Sequence, residues 1–148
     1  MGFGDPSGNY WLGNDLLEWL TAKNRYKLRF DLQQNGTGNW YYAEYSTFRV
    51  LSEADNYTLQ VDGFSGNASA DALGRWHNGL KFTTIDRDND QQTSRNCAAH
   101  TRGGFWWGWY CGGCSVNGAR YAGRFHFQWY DLPGGNRLQY SRMWLQCK

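Results

Sequence analysis

An α+β fold is the class this sequence predicts, with a sheet and short helices in the first half and long ordered loops in the second. Three observations lead there. Apolar and polar residues alternate with period two from Tyr26 onward. One short segment carries a helix signal. Beyond Gly63 the strand signal gives way to Gly, Asn, Asp and Ser, while tryptophans and cysteines continue.

The helix signal comes first along the chain. Asn14 and Asp15 precede Leu16, Leu17, Trp19 and Leu20, and a side-chain oxygen there satisfies free amides in a first helical turn. Tyr26, Leu28 and Phe30 then alternate with Lys27, Arg29 and Asp31, as a half-buried strand requires. Asn35-Gly36 and Gly38-Asn39 supply a turn, Trp40 to Tyr45 and Thr47 to Leu51 follow as strand segments, and Tyr57 to Val61 is one more. From about residue 75 to 135 the chain reads as loops around a few short strands, and loops of that length are commonly functional or disordered. Trp76, Phe82, Phe105, Trp106, Trp107, Trp109 and Tyr110 lie in the same stretch and argue against disorder. With no repeat, no low-complexity tract and only Pro6 and Pro133 as prolines, the 148 residues form one unit. It divides into a sheet-rich part, about 1–75, and a loop-rich part, about 76–148.

Fifteen Lys and Arg against 13 Asp and Glu leave a formal net charge of +2, scattered along the chain, which predicts no nucleic-acid partner. No apolar run approaches the roughly 18 residues of a membrane span, so no membrane insertion is expected, and the opening MGFGDPSGNYW lacks the pattern of a signal peptide. Nine Trp and 10 Tyr on a glycine-rich frame serve either as a recognition surface or as filling for a core short of aliphatics. Three sequons, Asn35-Gly36-Thr37, Asn56-Tyr57-Thr58 and Asn67-Ala68-Ser69, mark a candidate glycoprotein. With an even set of cysteines, Cys97, Cys111, Cys114 and Cys147, they favour disulfides and an extracellular setting.

Asp86-Arg87-Asp88-Asn89-Asp90, followed by the polar run Gln91 to Asn96, is the sharpest chemical signal. Calcium takes roughly six to eight oxygens, and carboxylates two apart on a looping backbone converge on one ion while carbonyls downstream complete the shell. An EF-hand is excluded, because Gln91 and Cys97 occupy the places of its Gly and Glu. The competing reading is a solvated acidic turn. Cys111-Gly112-Gly113-Cys114 allows a redox dithiol, half of a zinc site, or two cysteines in separate crosslinks. Without a strand-helix-strand setting the crosslinks are favoured. His77, His100 and His126 have no partner at a recognisable catalytic spacing, so the chain is not read as an enzyme.

Several strings together are similar to the fibrinogen-related domain family: GFGDPSGNYWLGND at 2–15, AEYSTFRV at 43–50, HNGLKFTTIDRDND at 77–90, NCA at 96–98, GGFWW at 103–107, and Asn117-Gly118 after Cys111. The resemblance covers essentially the whole chain but begins at the GFG motif, so the family's N-terminal subdomain is not seen. It implies a central, mostly antiparallel sheet flanked by short helices, and a loop-built C-terminal subdomain carrying a calcium ion and a ligand site. Carried over, the calcium carboxylates fall on Asp88 and Asp90, with carbonyls expected around Gln92 to Ser94 and Asp86 in support. The family disulfide corresponds to Cys97 with Cys111, and the economical expectation for Cys114 and Cys147 is a second bridge.

Lectins of this family bind acetylated sugars near the second cysteine, here Cys111, usually with a histidine next, where this chain has Gly112. The chain is also several residues short between Gly123 and Trp129, where a pocket wall is expected. Trp109, Tyr110, Tyr121, Trp129 and Tyr130 are the aromatics expected to face a ligand, and Trp106 and Trp107 those expected in the core. The resemblance therefore implies a secreted, calcium-dependent recognition module binding an acetylated glycan or glycoprotein in innate immunity. The alternative is a protein-interaction or assembly module with a structural calcium and no sugar site. Strand edges left open by the absent subdomain predict a homo-oligomer.

Overall fold

A computed structural model of the chain describes every residue except Met1, Pro6, Ser69, Ala119, Ala122, Gly123 and His126, with the backbone alone for residues 120, 121, 124 and 125. Phe3–Gly4 (β1) and Tyr10–Trp11 (β2) form a two-stranded antiparallel ribbon leading into helix α1, Asn14–Thr21. The helix is entered from Gly13 at φ 96°, a conformation glycine takes without strain. Asn14 and Asp15, expected as caps, instead lie inside the first turn, where the Asp15 carboxylate accepts the Tyr57 hydroxyl. Leu17 and Thr21 form the buried face. Thr21 Oγ1 donates to the Leu17 carbonyl at 2.7 Å and accepts the Val50 amide at 3.0 Å, pinning the helix to the sheet.

The sheet contains β3 (Tyr26–Gln34), β4 (Trp40–Val50) and β5 (Leu59–Gly66), each antiparallel to the next. Leu28, Phe30 and Leu32 are fully buried on one face, as the alternation demands. β4 is one continuous strand where the sequence suggested two segments, and β5 continues past the glycine where its signal faded. Gly63 makes this possible: at φ 70° it lies against Ser46, where any Cβ would collide with the serine side chain.

Helices α2 (Ala72–His77) and α3 (Cys97–Thr101) are each capped by a side chain, Asp71 accepting the Gly74 amide and Asn96 accepting the Ala99 amide. Short ribbons follow: β6 (Cys114–Ser115) with β9 (Gln128–Trp129), and β7 (Arg120–Tyr121) with β8 (Arg124–Phe125).

The last strand, β10 (Leu138–Cys147), pairs antiparallel with β3 and gives the order β10-β3-β4-β5. The division at about residue 75 therefore fails for the C-terminal segment, which returns to the sheet instead of bracing the loops. Asp31 fastens it there, accepting Arg142 Nη2 at 3.0 Å and Trp144 Nε1 at 3.1 Å beside Arg29 at 2.8 Å. Although partial burial works against it, hydrogen bonds from Arg29 and Arg142 hold the Asp31 carboxyl below the usual carboxylate value.

One core joins the inner sheet face to the loops. Trp106, Trp107 and Trp129 are fully buried, Trp129 packing on Phe30 with ring centroids 5.0 Å apart, while Phe82, Phe105 and Trp106 meet edge to face. Aromatics thus bind the loop-rich half to the sheet.

Candidate functional site

The loop that follows Phe82 is held before any ligand enters. Thr83 exchanges backbone hydrogen bonds with Phe105, Asn89 Nδ2 donates to the Phe82 carbonyl, and Asn96 Nδ2 donates to the Thr84 carbonyl. Asp88 and Asp90 stand together inside this frame. Asp88 Oδ1 accepts the Asp90 amide at 3.3 Å, and Asp90 accepts the amides of Gln92 and Cys97, both at 2.8 Å. Burial raises the Asp90 carboxyl above its ordinary value and the neighbouring Asp88 charge adds to the effect, against the two amides that pull it down.

Paired hard oxygens, with Asp90 raised by its burial and by the Asp88 charge, are donors of the type that fits a calcium ion. Asp90 keeps lone pairs beyond its amide contacts, and the backbone carbonyls of Gln92 and Ser94 accept no hydrogen bond among the described residues. The Gln92 side chain itself points elsewhere, its Oε1 accepting the Ser94 amide and hydroxyl and its Nε2 donating to the Trp109 carbonyl at 2.7 Å. Asp86 is turned to Thr84, whose hydroxyl it accepts at 2.7 Å. Among the described residues no three acidic, histidine or cysteine side chains form a metal cluster.

Cys97 and Cys111 form a disulfide, with Cα atoms 5.2 Å apart, that joins the start of α3 to the turn at 108–113. The second bridge does not form. Cys114 is fully buried in β6 opposite Trp129, whereas Cys147 is exposed at the far end of β10 opposite Tyr26, and both are free thiols. The return of β10 to the sheet is the physical reason. Because Cys111 is oxidised and burial drives the Cys114 thiol well above its ordinary value, the C-x-x-C holds no reactive dithiol.

His77, fully buried at the end of α2, organises the floor of the loops. Its Nδ1 lies 2.6 Å from the Trp106 carbonyl and its Nε2 accepts the Cys114 amide at 2.8 Å, which places the proton on Nδ1. Burial lowers its pKa to about 4, so the imidazole is neutral at physiological pH. The sequence showed this residue only as part of HNG and gave it no role.

Two cavities open on either side of the exposed Tyr110. One, of about 410 Å³, is lined by Gln92, Arg95, His100, Tyr110, Cys111 and Gly112. This is where the resemblance placed a ligand, and Arg95 and His100 are wall residues the sequence reading missed. The other, of about 430 Å³, brings together Trp76, Leu80, Trp109 and Tyr130. Trp109, Tyr110 and Tyr130 are exposed, but Trp129, expected to face a ligand, is wholly buried and is corrected to the core. Its indole packs on Phe30 of β3, out of reach of a ligand. Tyr121 has a described backbone in β7, and its side chain lies outside the described residues.

The chain matches the fibrinogen beta and gamma chains' C-terminal globular domain over residues 1–146. It belongs to that family. Fibrinogen-like protein A of Apostichopus parvimensis is 39% identical over 150 residues, covering 98% of this chain and 52% of that protein. Angiopoietin-related protein 2 of Homo sapiens is 41% identical over 107 residues, 72% of this chain but 21% of the relative. The chain therefore spans about half of one relative and about a fifth of the other. Among solved structures, the fibrinogen-like globe domain of human ANGPTL2 superposes with a TM-score of 0.84 at 37% identity, over 99% of this chain and 69% of that one. A lamprey fibrin D-dimer complexed with the peptide ligand Gly-His-Arg-Pro-amide superposes with a TM-score of 0.76 at 26% identity, over 97% of this chain and 53% of that one. The fibrinogen-like fold expected from the sequence is confirmed. Among the described residues no helix is long and apolar enough to cross a membrane.

Proposed function

We propose that this fibrinogen-like chain is a secreted recognition module that binds an extracellular protein partner through the loops around residues 91–113, which a calcium ion at Asp88 and Asp90 holds in place. The observation that carries the reading is the pairing of these two carboxylates, Asp90 raised by burial and by Asp88, on the loop that also walls the 410 Å³ cavity through Gln92. The ion would offset the repulsion between the carboxylates and draw in carbonyls of Gln92 and Ser94, a structural and not a catalytic task. Relatives named for angiopoietins support a protein partner, and the peptide ligand in the lamprey complex shows that one fold relative takes peptide.

An acetylated-sugar site has weaker support. Gly112 offers no imidazole beside Cys111, and Trp129 is sealed in the core. Calorimetric titration with calcium, on the wild type and on Asp88→Ala with Asp90→Ala, tests the ion: heat must appear in the first and vanish in the second. Repeating the titration with N-acetylglucosamine tests the partner class. No sugar heat is expected, and sugar binding that needs both carboxylates would overturn the protein-partner reading in favour of a lectin.

A further inference from the structure

The second cavity is built differently from the first. Trp76 and Tyr130 meet edge to face with centroids 6.0 Å apart, Leu80 and Trp109 add further apolar wall, and Gly108, Gly112 and Gly113 line the groove between them. A Cβ at Gly108 would come 3.2 Å from Leu80 Cδ1, and one at Gly113 would come 2.6 Å from His77 Nε2 and 2.9 Å from Trp76 Cβ, so glycine at these places lets the turn lie close against Leu80 and Trp76. Trp76 is 44% exposed and Trp109 59%. A lone exposed aromatic needs no explanation, but four converging on one groove with Leu80, Tyr110 being the fourth, form an anchor site of the kind that interface hot spots fill.

The charge of the groove is one-sided. Arg75, exposed in the last turn of α2, is the one charged residue among its described lining, and among the described residues it makes no ion pair. A planar guanidinium pairs in two-pronged fashion with a carboxylate, while the flat indole and phenol faces select an aromatic or branched apolar side chain. We propose that this groove is a second recognition subsite, taking from the partner protein a segment in which an aromatic or branched apolar side chain stands next to a carboxylate. It rests on the protein-partner reading and adds the chemistry of the partner. Tyr110 lines both cavities, so one segment lying across it would occupy the two together.

The test follows the indole N–H signals of Trp76 and Trp109 by NMR, assigned with Trp76→Phe and Trp109→Phe, during titration with three capped dipeptides: N-acetyl-Phe-Glu-amide, N-acetyl-Phe-Lys-amide and N-acetyl-Gly-Glu-amide. Phe-Glu is expected to move both signals, Phe-Lys to bind about three- to fivefold more weakly, the scale of one exposed ion pair, and Gly-Glu to leave them still. Arg75→Glu, a surface change that leaves the fold intact by circular dichroism, should reverse the preference between Glu and Lys. Indole signals unmoved by Phe-Glu, or equal affinities that Arg75→Glu does not alter, overturn the proposal. A positive calcium titration in that same protein would leave the parent reading standing. Loss of the calcium response with groove binding intact would instead strike the parent reading and spare the groove.

Discussion

Acidification should unfasten the loop-rich half through His77, and the size of the effect follows from its burial. The folded-state pKa is about 4 and the ordinary value is 6.5, so between these limits the unfolded chain binds a proton that the folded chain refuses. The stabilisation is complete above pH 6.5 and is lost as the pH falls toward 4. A difference of about 2.5 pH units corresponds to about 3 kcal/mol in all, at about 1.4 kcal/mol per unit. That is a large share of a domain's usual stability of about 5–15 kcal/mol. The lowered carboxylates Asp5, Asp15, Asp31 and Asp86 add their own loss of stability only as the pH falls toward and through the ordinary carboxylate value, at the bottom of this window. The raised carboxyl of Asp90 acts in the opposite sense as it takes up its proton. Urea unfolding at pH 7, 6 and 5 measures the slope, and the imidazole carbon-bound protons of His77 report its own titration by NMR. Stability that stays level from pH 7 to 5, or a His77 that titrates near 6.5, would refute the assignment of Nε2 as acceptor for the Cys114 amide.

Further outcomes are expected. In native protein a thiol reagent should modify Cys147 alone, with Cys114 reacting only after denaturation; two fast thiols or none would contradict the burial and the missing second bridge. Selective reduction of Cys97–Cys111, which closes a 14-residue separation, should cost about 3 kcal/mol by urea unfolding. Trp129→Ala should lose about 3–5 kcal/mol as a core cavity. Trp109→Ala, by contrast, should change stability by less than about 0.5 kcal/mol in the same assay. Asp88→Asn without calcium should be neutral or stabilising, because it removes repulsion from Asp90; if the proposed calcium site is right, it should also abolish a rise in melting temperature that added calcium is expected to give the wild type.

Much of this architecture was legible because period-two alternation has one physical cause, a sheet with one buried face. Leu28, Phe30 and Leu32 obeyed it, and the alternate acids Asp88 and Asp90, singled out by their spacing, do lie side by side in the fold. What escaped were relations between distant residues. Nothing local distinguishes Trp129 from Trp109, since each is a tryptophan in a loop-rich stretch, and Phe30 decides which one is core. Cys114 and Cys147 looked like natural partners until β10 was seen to carry one of them to the sheet. Arg75 and Trp76 lay at the end of a six-residue helix too short to read, and their groove exists only because the glycines at 108, 112 and 113 lie across from them. His77 likewise has meaning only through a carbonyl 29 residues away and an amide 37 residues away.

The placement of β10 also sets the order in which this protein can be made. Asp31 and Arg142 are 111 residues apart, yet they seal neighbouring strands, so the central sheet lacks its fourth member until residues 138–147 have been made. Until then β3 presents its unpaired edge and Asp31 waits without its later partners, the state in which nascent sheets are most exposed to wrong association. Closure across so long a span is slow by its nature. The loops between β5 and β10 are therefore framed by the sheet only once β10 is added, and synthesis stalled before residue 138 would yield a chain that carries the loop residues from 88 to 130 without the frame that holds them.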